Sequence, residues 1–183
     1  MARRLYPAFL DFVGRRVLVV GAGPVAAAKI SRLVEAGADV VVVAPDVAPE
    51  IEHLRLEVVR RPFRPSDLEG CWFVVSAAPP DVNAAVIREA NRRGIFVNAV
   101  DDPRNASAYA GSGFRRGPVT VAISTGGDAP ALARVMREAL ERLVGTDVED
   151  WTALAARLRD DWRREGTPIA SRRDALLAAL SHL

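Results

Sequence analysis

The stretch Arg16-Val17-Leu18-Val19-Val20-Gly21-Ala22-Gly23-Pro24-Val25-Ala26 constrains this chain more than any other. Four apolar residues, mostly β-branched, suit a strand covered on both faces of a parallel sheet. Gly21 allows a tight turn, Gly23 lets the backbone come close to a ligand, and Ala26 is small where helix and strand meet. The pattern G-x-G-x-x-A then aims the first N–H groups of a helix at a pyrophosphate. Alone it is a weak signal, since any tight strand-to-helix turn uses the same residue types. Its surroundings strengthen it: a helix is expected over residues 24–36, closed by Gly37, and a second apolar strand over 40–44. That completes a βαβ unit.

A dinucleotide fingerprint of this kind ordinarily has Asp or Glu at the end of the second strand for the ribose hydroxyls. Here that place is Ala44-Pro45-Asp46, with the acid slightly late. The loop has no arginine for a 2′-phosphate, which leans towards NAD over NADP. Further strands are expected over 56–59, 72–77 and 95–100, a short helical turn at Ser66-x-x-Glu69, and a helix over 81–93 ended by Gly94. The alternation reads as an α/β fold with a doubly wound parallel sheet. Ligands of such sheets sit beyond the carboxyl ends of the strands. Of those ends, Asn98-Ala99-Val100-Asp101-Asp102 alone delivers two carboxylates and an amide. From the residues alone, Asp101 reads equally as a general base or as part of an Asp-Pro turn with Asp102-Pro103.

The pattern then changes. Strands are expected over 106–109 and 118–125, separated by Gly111-Ser112-Gly113-Phe114-Arg115-Arg116-Gly117. Ser124-Thr125-Gly126-Gly127 turns into a helix with Asp128 as its N-cap and Pro130 in its first turn. That loop reads as a turn or as an anion site built from hydroxyls and free N–H groups. Leu132, Val135, Met136, Leu140 and Leu143 share one face of the helix. Thr146-x-x-Glu149 and Ser171-x-x-Asp174 are expected to open two more helices. Two strands and a helix make too little core to stand alone, so pairing with a second copy is expected. The divisions are 1–110, a dinucleotide-binding domain; 111–145, a small α+β dimerisation region; and 146–183, a helical C-terminal region.

Composition excludes several classes. The chain has 183 residues, half of them apolar, and a net charge of +2. Disorder is therefore not expected, and no apolar run nears the roughly 20 residues that span a bilayer. The N-terminus lacks the apolar region of a secretory signal. Cys71 is the lone cysteine, which excludes an internal disulfide and suits the cytoplasm. The sequence pI of 9.2 reflects scattered arginines, with Lys29 the sole lysine. Without a basic run interleaved with aromatics, no nucleic-acid partner is expected. His53 and His182 are far apart and no C-x-x-C or H-x-x-x-H spacing occurs, so no structural metal site is expected. Walker A and G-x-S-x-G motifs are likewise missing.

Three stretches occur in order: Val20-Gly21-Ala22-Gly23-Pro24-Val25-Ala26-Ala27-Ala28-Lys29, Asn98-Ala99-Val100-Asp101-Asp102-Pro103, and Val121-Ala122-Ile123-Ser124-Thr125-Gly126-Gly127-Asp128-Ala129-Pro130-Ala131-Leu132-Ala133-Arg134. Together they resemble the precorrin-2 dehydrogenase / sirohydrochlorin ferrochelatase family, the N-terminal part of bacterial sirohaem synthase, over nearly the whole chain. The chain is expected to lack the methyltransferase module of the fused enzyme. The resemblance implies a homodimer with a Rossmann domain that oxidises precorrin-2 to sirohydrochlorin with NAD. In many members Fe²⁺ insertion follows; Co²⁺ is the other metal substrate considered. Asp101 matches the family's proposed catalytic aspartate. On this reading Gly21, Gly23, Pro24, Val25, Ala44, Pro45, Asp46, Ala78 and Asn98 bind the cofactor, and Ser124, Thr125, Gly126, Arg104 and Arg134 bind the polycarboxylate substrate. The family commonly has Ala-Pro at the second strand end, as here. A metal chelatase without oxidation and a dinucleotide-sensing regulatory module are the competing readings.

Overall fold

The β-branched runs of the N-terminal half assemble into one parallel sheet. The computed structural model describes residues 4–100, 102 and 104–181. Strands β1 (Arg16–Val20), β2 (Asp39–Val43), β3 (Glu57–Val59), β4 (Phe73–Ser76) and β5 (Phe96–Ala99) lie in the order β3-β2-β1-β4-β5. All four pairings are parallel. Because β1 and β4 are neighbours while β2 and β3 run outward on the other side, the strand order reverses between β1 and β4. That is the switch point at which an open α/β sheet leaves a crevice.

Period-2 side-chain alternation sends each strand's apolar residues to both faces. On one face Val17, Val19, Val40, Val42, Phe73 and Val75 pack with Ala26, Ile30 and Leu33 of helix α1 (Pro24–Glu35). On the other, Leu18, Val20, Val41, Val43, Val74 and Val97 pack with Val86, Ile87 and Ala90 of α3 (Pro80–Arg93). A short helix α2 (Pro49–Glu52) precedes β3.

The turn before β4 is a 3-10 turn, Pro65–Leu68. Asp67, not Ser66, organises it. Its carboxylate accepts bonds from the Arg64 N–H at 2.8 Å and from both Arg61 Nη atoms at 2.8 and 2.5 Å. The Arg61 guanidinium holds the Asp67 carboxyl below its ordinary value. A lowered folded pKa means the pair stabilises above the unfolded carboxylate range and is lost as pH falls through the folded value. Asp67→Asn is therefore expected to cost about 2 kcal/mol at neutral pH. In urea melts against wild type, that gap closes in acid.

The chain divides into two compact units, Met1–Ala110 and Gly111–Leu183. In the second, β6 (Ser112–Arg116) and β7 (Val119–Ile123) form an antiparallel hairpin. Gly117 has φ +52° and Pro118 follows it, matching a type II′ turn, which needs positive φ only at its first central residue. α4 (Pro130–Leu143), α5 (Val148–Glu165) and α6 (Ile169–Leu180) complete the unit.

Four further local expectations are corrected. Residues 106–109 form no strand. The Ser107 hydroxyl accepts the Val97 N–H, and the N–H groups of Ser107 and Ala108 both donate to the Val97 carbonyl, so a side chain docks this segment on β5 instead of a ladder. The strand lies in the Gly/Arg stretch after it, because β7 supplies its partner. Ala129, not Asp128, caps α4; the Thr125 hydroxyl accepts the Ala129 N–H at 3.2 Å and closes the turn first. α5 begins after Asp147 without a side-chain cap, since the Glu149 stem packs over Gly117, where a Cβ would meet its Cγ at 2.5 Å. Finally, α6 starts before Ser171, whose hydroxyl donates back to the Pro168 carbonyl.

Candidate dinucleotide site

The carboxyl ends of β1, β2, β4 and β5 bring the cofactor-site residues expected in the first unit to one edge of the sheet. Gly21 leaves β1 with φ +100°, a conformation that only glycine takes readily. The peptide after β4 lies against it: a Cβ on Gly21 would fall 2.1 Å from the Ala77 carbonyl oxygen and 3.1 Å from the Ala78 nitrogen. Gly23 differs. Its φ of −84° suits any residue, and a Cβ there would meet nothing within 4 Å. That open space lies before the first turn of α1.

α1 has no side-chain cap and no acid in its first turn. Pro24 has no N–H to offer, and the first helical bond runs from Ala27 N–H to the Gly23 carbonyl. The N–H groups of Val25 and Ala26 therefore remain available at the positive end of the helix. This cradle fits the pyrophosphate of a dinucleotide. Pro24 and Val25 are exposed beside it.

The β2 end is tied to the same turn. Gly21 N–H donates to the Val43 carbonyl, and Ala48 N–H to the Ala22 carbonyl. Ala44 is buried, whereas Pro45 and Asp46 are exposed, with the Asp46 carboxylate unpaired among the described residues. Ala78 is half-buried at the β4 end. Asn98 is buried on β5; its Nδ2 donates to the Ala108 carbonyl at 3.0 Å, and its Oδ1 has no partner among the described residues.

Asp101 lies outside the described residues. Its neighbour Asp102 accepts Asn105 Nδ2 at 2.7 Å and, through its backbone carbonyl, the Asn105 N–H. Asp102 therefore ties the loop, which the Asp-Pro spacing alone did not reveal. Arg104 is exposed.

The remaining expected substrate residues belong to the second unit. Ser124 Oγ accepts the Gly126 N–H at 3.2 Å, and Thr125 Oγ1 accepts the Ala129 N–H. Each hydroxyl keeps its own proton to donate. Gly126 and Gly127 both have positive φ, and the loop runs into the N-terminus of α4. Arg134 points from α4 with its Nε 3.1 Å from Glu138. Its partner is thus a neighbour on the same helix face, and the pair is solvent-exposed enough to exchange. Arg137 pairs with both Glu138 and Glu141. Sequence reading missed a cleft of about 530 Å³ at the other end of α4, lined by Arg116, Glu138, Glu141, Arg142 and Thr146. Among the described residues there is no group of three or more His, Cys, Asp or Glu able to hold a metal ion. No described helix is long and apolar enough to cross a membrane.

A parallel sheet with a glycine turn and an uncapped helix N-terminus at its switch point defines a dinucleotide-binding protein of Rossmann type. Residues 8–112 match the family described as putative NAD(P)-binding, and residues 116–143 match the sirohaem biosynthesis protein central family. The first of these matches covers more than half of the chain, which belongs to this putative NAD(P)-binding family. Siroheme synthase 3 of Aeromonas hydrophila is 40% identical over 172 residues, covering 91% of this chain and 37% of that protein. The siroheme synthase of Photorhabdus laumondii is 38% identical with the same coverage. The chain thus spans little more than a third of the length of these relatives. A solved structure described as SirC, precorrin-2 dehydrogenase, superposes with a TM-score of 0.74 at 28% identity, covering 95% of this chain and 88% of that one.

Proposed function

We propose that this chain oxidises precorrin-2 to sirohydrochlorin with NAD⁺ as oxidant, in sirohaem or cobalamin synthesis. The observation that carries the reading is the cradle at Gly23, open and flanked by the free N–H groups of Val25 and Ala26, in a chain of the putative NAD(P)-binding family. Bound there, NAD⁺ supplies the hydride acceptor. The chain's residues do the rest. Gly21, Gly23, Pro24 and Val25 hold the pyrophosphate. Ala44, Pro45 and Asp46 border the adenosine half, and Ala78 and Asn98 the nicotinamide half. Asp101 takes the proton that leaves the substrate beside the hydride, so that the two electrons and two protons removed are accounted for as NADH and H⁺.

Precorrin-2 is a polycarboxylate. Ser124 and Thr125 donate hydroxyl protons, and the α4 N-terminus donates N–H groups, to one of its carboxylates, while Gly126 shapes the loop through its N–H bond to Ser124. Arg104 and Arg134 pair with others. The test is a paired assay: NADH formation from precorrin-2, then Fe²⁺ or Co²⁺ insertion into sirohydrochlorin after NAD⁺ is removed. No NADH at any protein concentration overturns the dehydrogenase. Metal insertion alone would establish the chelatase reading, with the metal as substrate. The lone buried Cys71 suits a reducing cytoplasm.

The working form is a homodimer. Leu132, Val135, Met136, Leu140 and Leu143 are all exposed along α4, although they repeat at helical spacing and the helix buries only Ala133. Such a stripe needs a cover, and a two-fold partner offers the same stripe in return. The double variant Met136→Glu, Leu140→Glu is expected to run as a monomer by light scattering where the wild type runs as a dimer. A wild-type monomer at assay concentration sinks this.

A further inference from the structure

The loop after β4 consists of Ala77, Ala78 and Pro79, none of which has a polar side chain to hold a turn. Its hold comes from two residues that neither the family motifs nor the strand-end logic selects. Asn83, in the first turn of α3, accepts the Ala78 N–H on Oδ1 at 2.9 Å and donates from Nδ2 to the Ala78 carbonyl at 2.7 Å. Ser76, the last residue of β4, donates its hydroxyl to the same Oδ1 at 2.6 Å. Ser76 is fully buried and Asn83 is 6% exposed. Two donors fix which way the amide points, so both backbone groups of Ala78 are satisfied by one side chain.

That loop is also the surface against which Gly21 is packed, with no room for a single added carbon. Its position therefore sets the wall between the pyrophosphate turn and the end of β5. We propose that Asn83, oriented by Ser76, is a positioning residue for the nicotinamide half of the dinucleotide: it holds the Ala77–Ala78 peptide where that half lies. This rests on the dinucleotide reading above.

The test uses the full chain and two ligands. ADP reaches the Gly23 cradle but has no nicotinamide, whereas NAD⁺ needs the loop as well. Asn83→Asp keeps the acceptor for Ser76 and Ala78 N–H but sets a carboxylate against the Ala78 carbonyl. Its NAD⁺ dissociation constant is expected to rise about tenfold by calorimetry, with that of ADP within about twofold of wild type. Ser76→Ala removes only the orienting donor and is expected to show the same split, smaller. A residue that merely stabilised the fold would weaken both ligands together or neither, and either result in a folded variant overturns the proposal. Should Asn83→Asp not fold, an unchanged NAD⁺-to-ADP ratio in Ser76→Ala overturns it. Wild-type protein that binds neither ligand refutes the dinucleotide reading instead.

Discussion

Gly21→Ala is expected to leave little folded protein, while Gly23→Ala, two residues on, folds normally and loses the dinucleotide. At Gly21 an added Cβ meets the Ala77 carbonyl oxygen at 2.1 Å and its carbon at 2.6 Å. Both are backbone atoms, and Asn83 pins the next residue, so neither side can yield cheaply. The residue's φ of +100° adds a conformational cost of about 1–2 kcal/mol for any L side chain. A total of about 4 kcal/mol or more is expected, a large part of what holds a domain together. At Gly23 the same methyl group enters open space on unstrained backbone, and the cap costs less than about 1 kcal/mol. The space it enters is the one assigned to the pyrophosphate, so affinity for NAD⁺ should fall at least about tenfold. Urea melts and calorimetry on the pair read both effects. A well-folded Gly21→Ala contradicts the contact with Ala77; undiminished NAD⁺ affinity in Gly23→Ala removes the pyrophosphate from the α1 N-terminus.

The second large effect is at Asp101. Asp101→Ala is expected to bind NAD⁺ as wild type does while losing about 10²–10⁴ in the rate of precorrin-2 oxidation, the range a positioned general base contributes. Its neighbour serves as the control. The Asp102 carboxylate is engaged by Asn105 within its own loop, so Asp102→Ala should lower stability modestly and spare most of the rate. Equal losses at both positions, or full turnover in Asp101→Ala, would take Asp101 out of the chemistry. The comparison distinguishes two adjacent carboxylates that composition and spacing alone leave equivalent.

The parallel sheet was legible because its signals are local and repeated. Val17, Val19, Val40, Val42 and Val75 stand in runs that only a two-faced buried strand accommodates, and Gly37 and Gly94 mark two helix ends with positive φ. The hairpin was half legible. β7 shows β-branched alternation, but β6 runs through Gly113, Arg115 and Arg116, and buries only Phe114. Its pairing is dictated by a strand it meets later, which no window along the sequence contains. The segment 106–109 resembled a strand because a hydroxyl in place of a ladder leaves no mark on hydrophobic periodicity. Of the site, the Gly21-to-Gly23 turn could be read directly. Asn83 could not: a polar residue in the first turn of a helix is the commonest of surface patterns, and its two bonds to Ala78 appear only when β4 and α3 are in place.

The way residues 107 and 108 dock on β5 bears on self-association of a harmful kind. An edge strand with bare N–H and C=O groups is a template on which other chains can add. One border of this sheet is β3, only three residues long. The other is β5, where Val97's N–H and carbonyl are both taken by Ser107 and Ala108. The Ser107 hydroxyl thus covers the Val97 N–H, and the backbone of residues 107 and 108 its carbonyl, so that an apolar border strand offers a neighbouring chain neither group at that position.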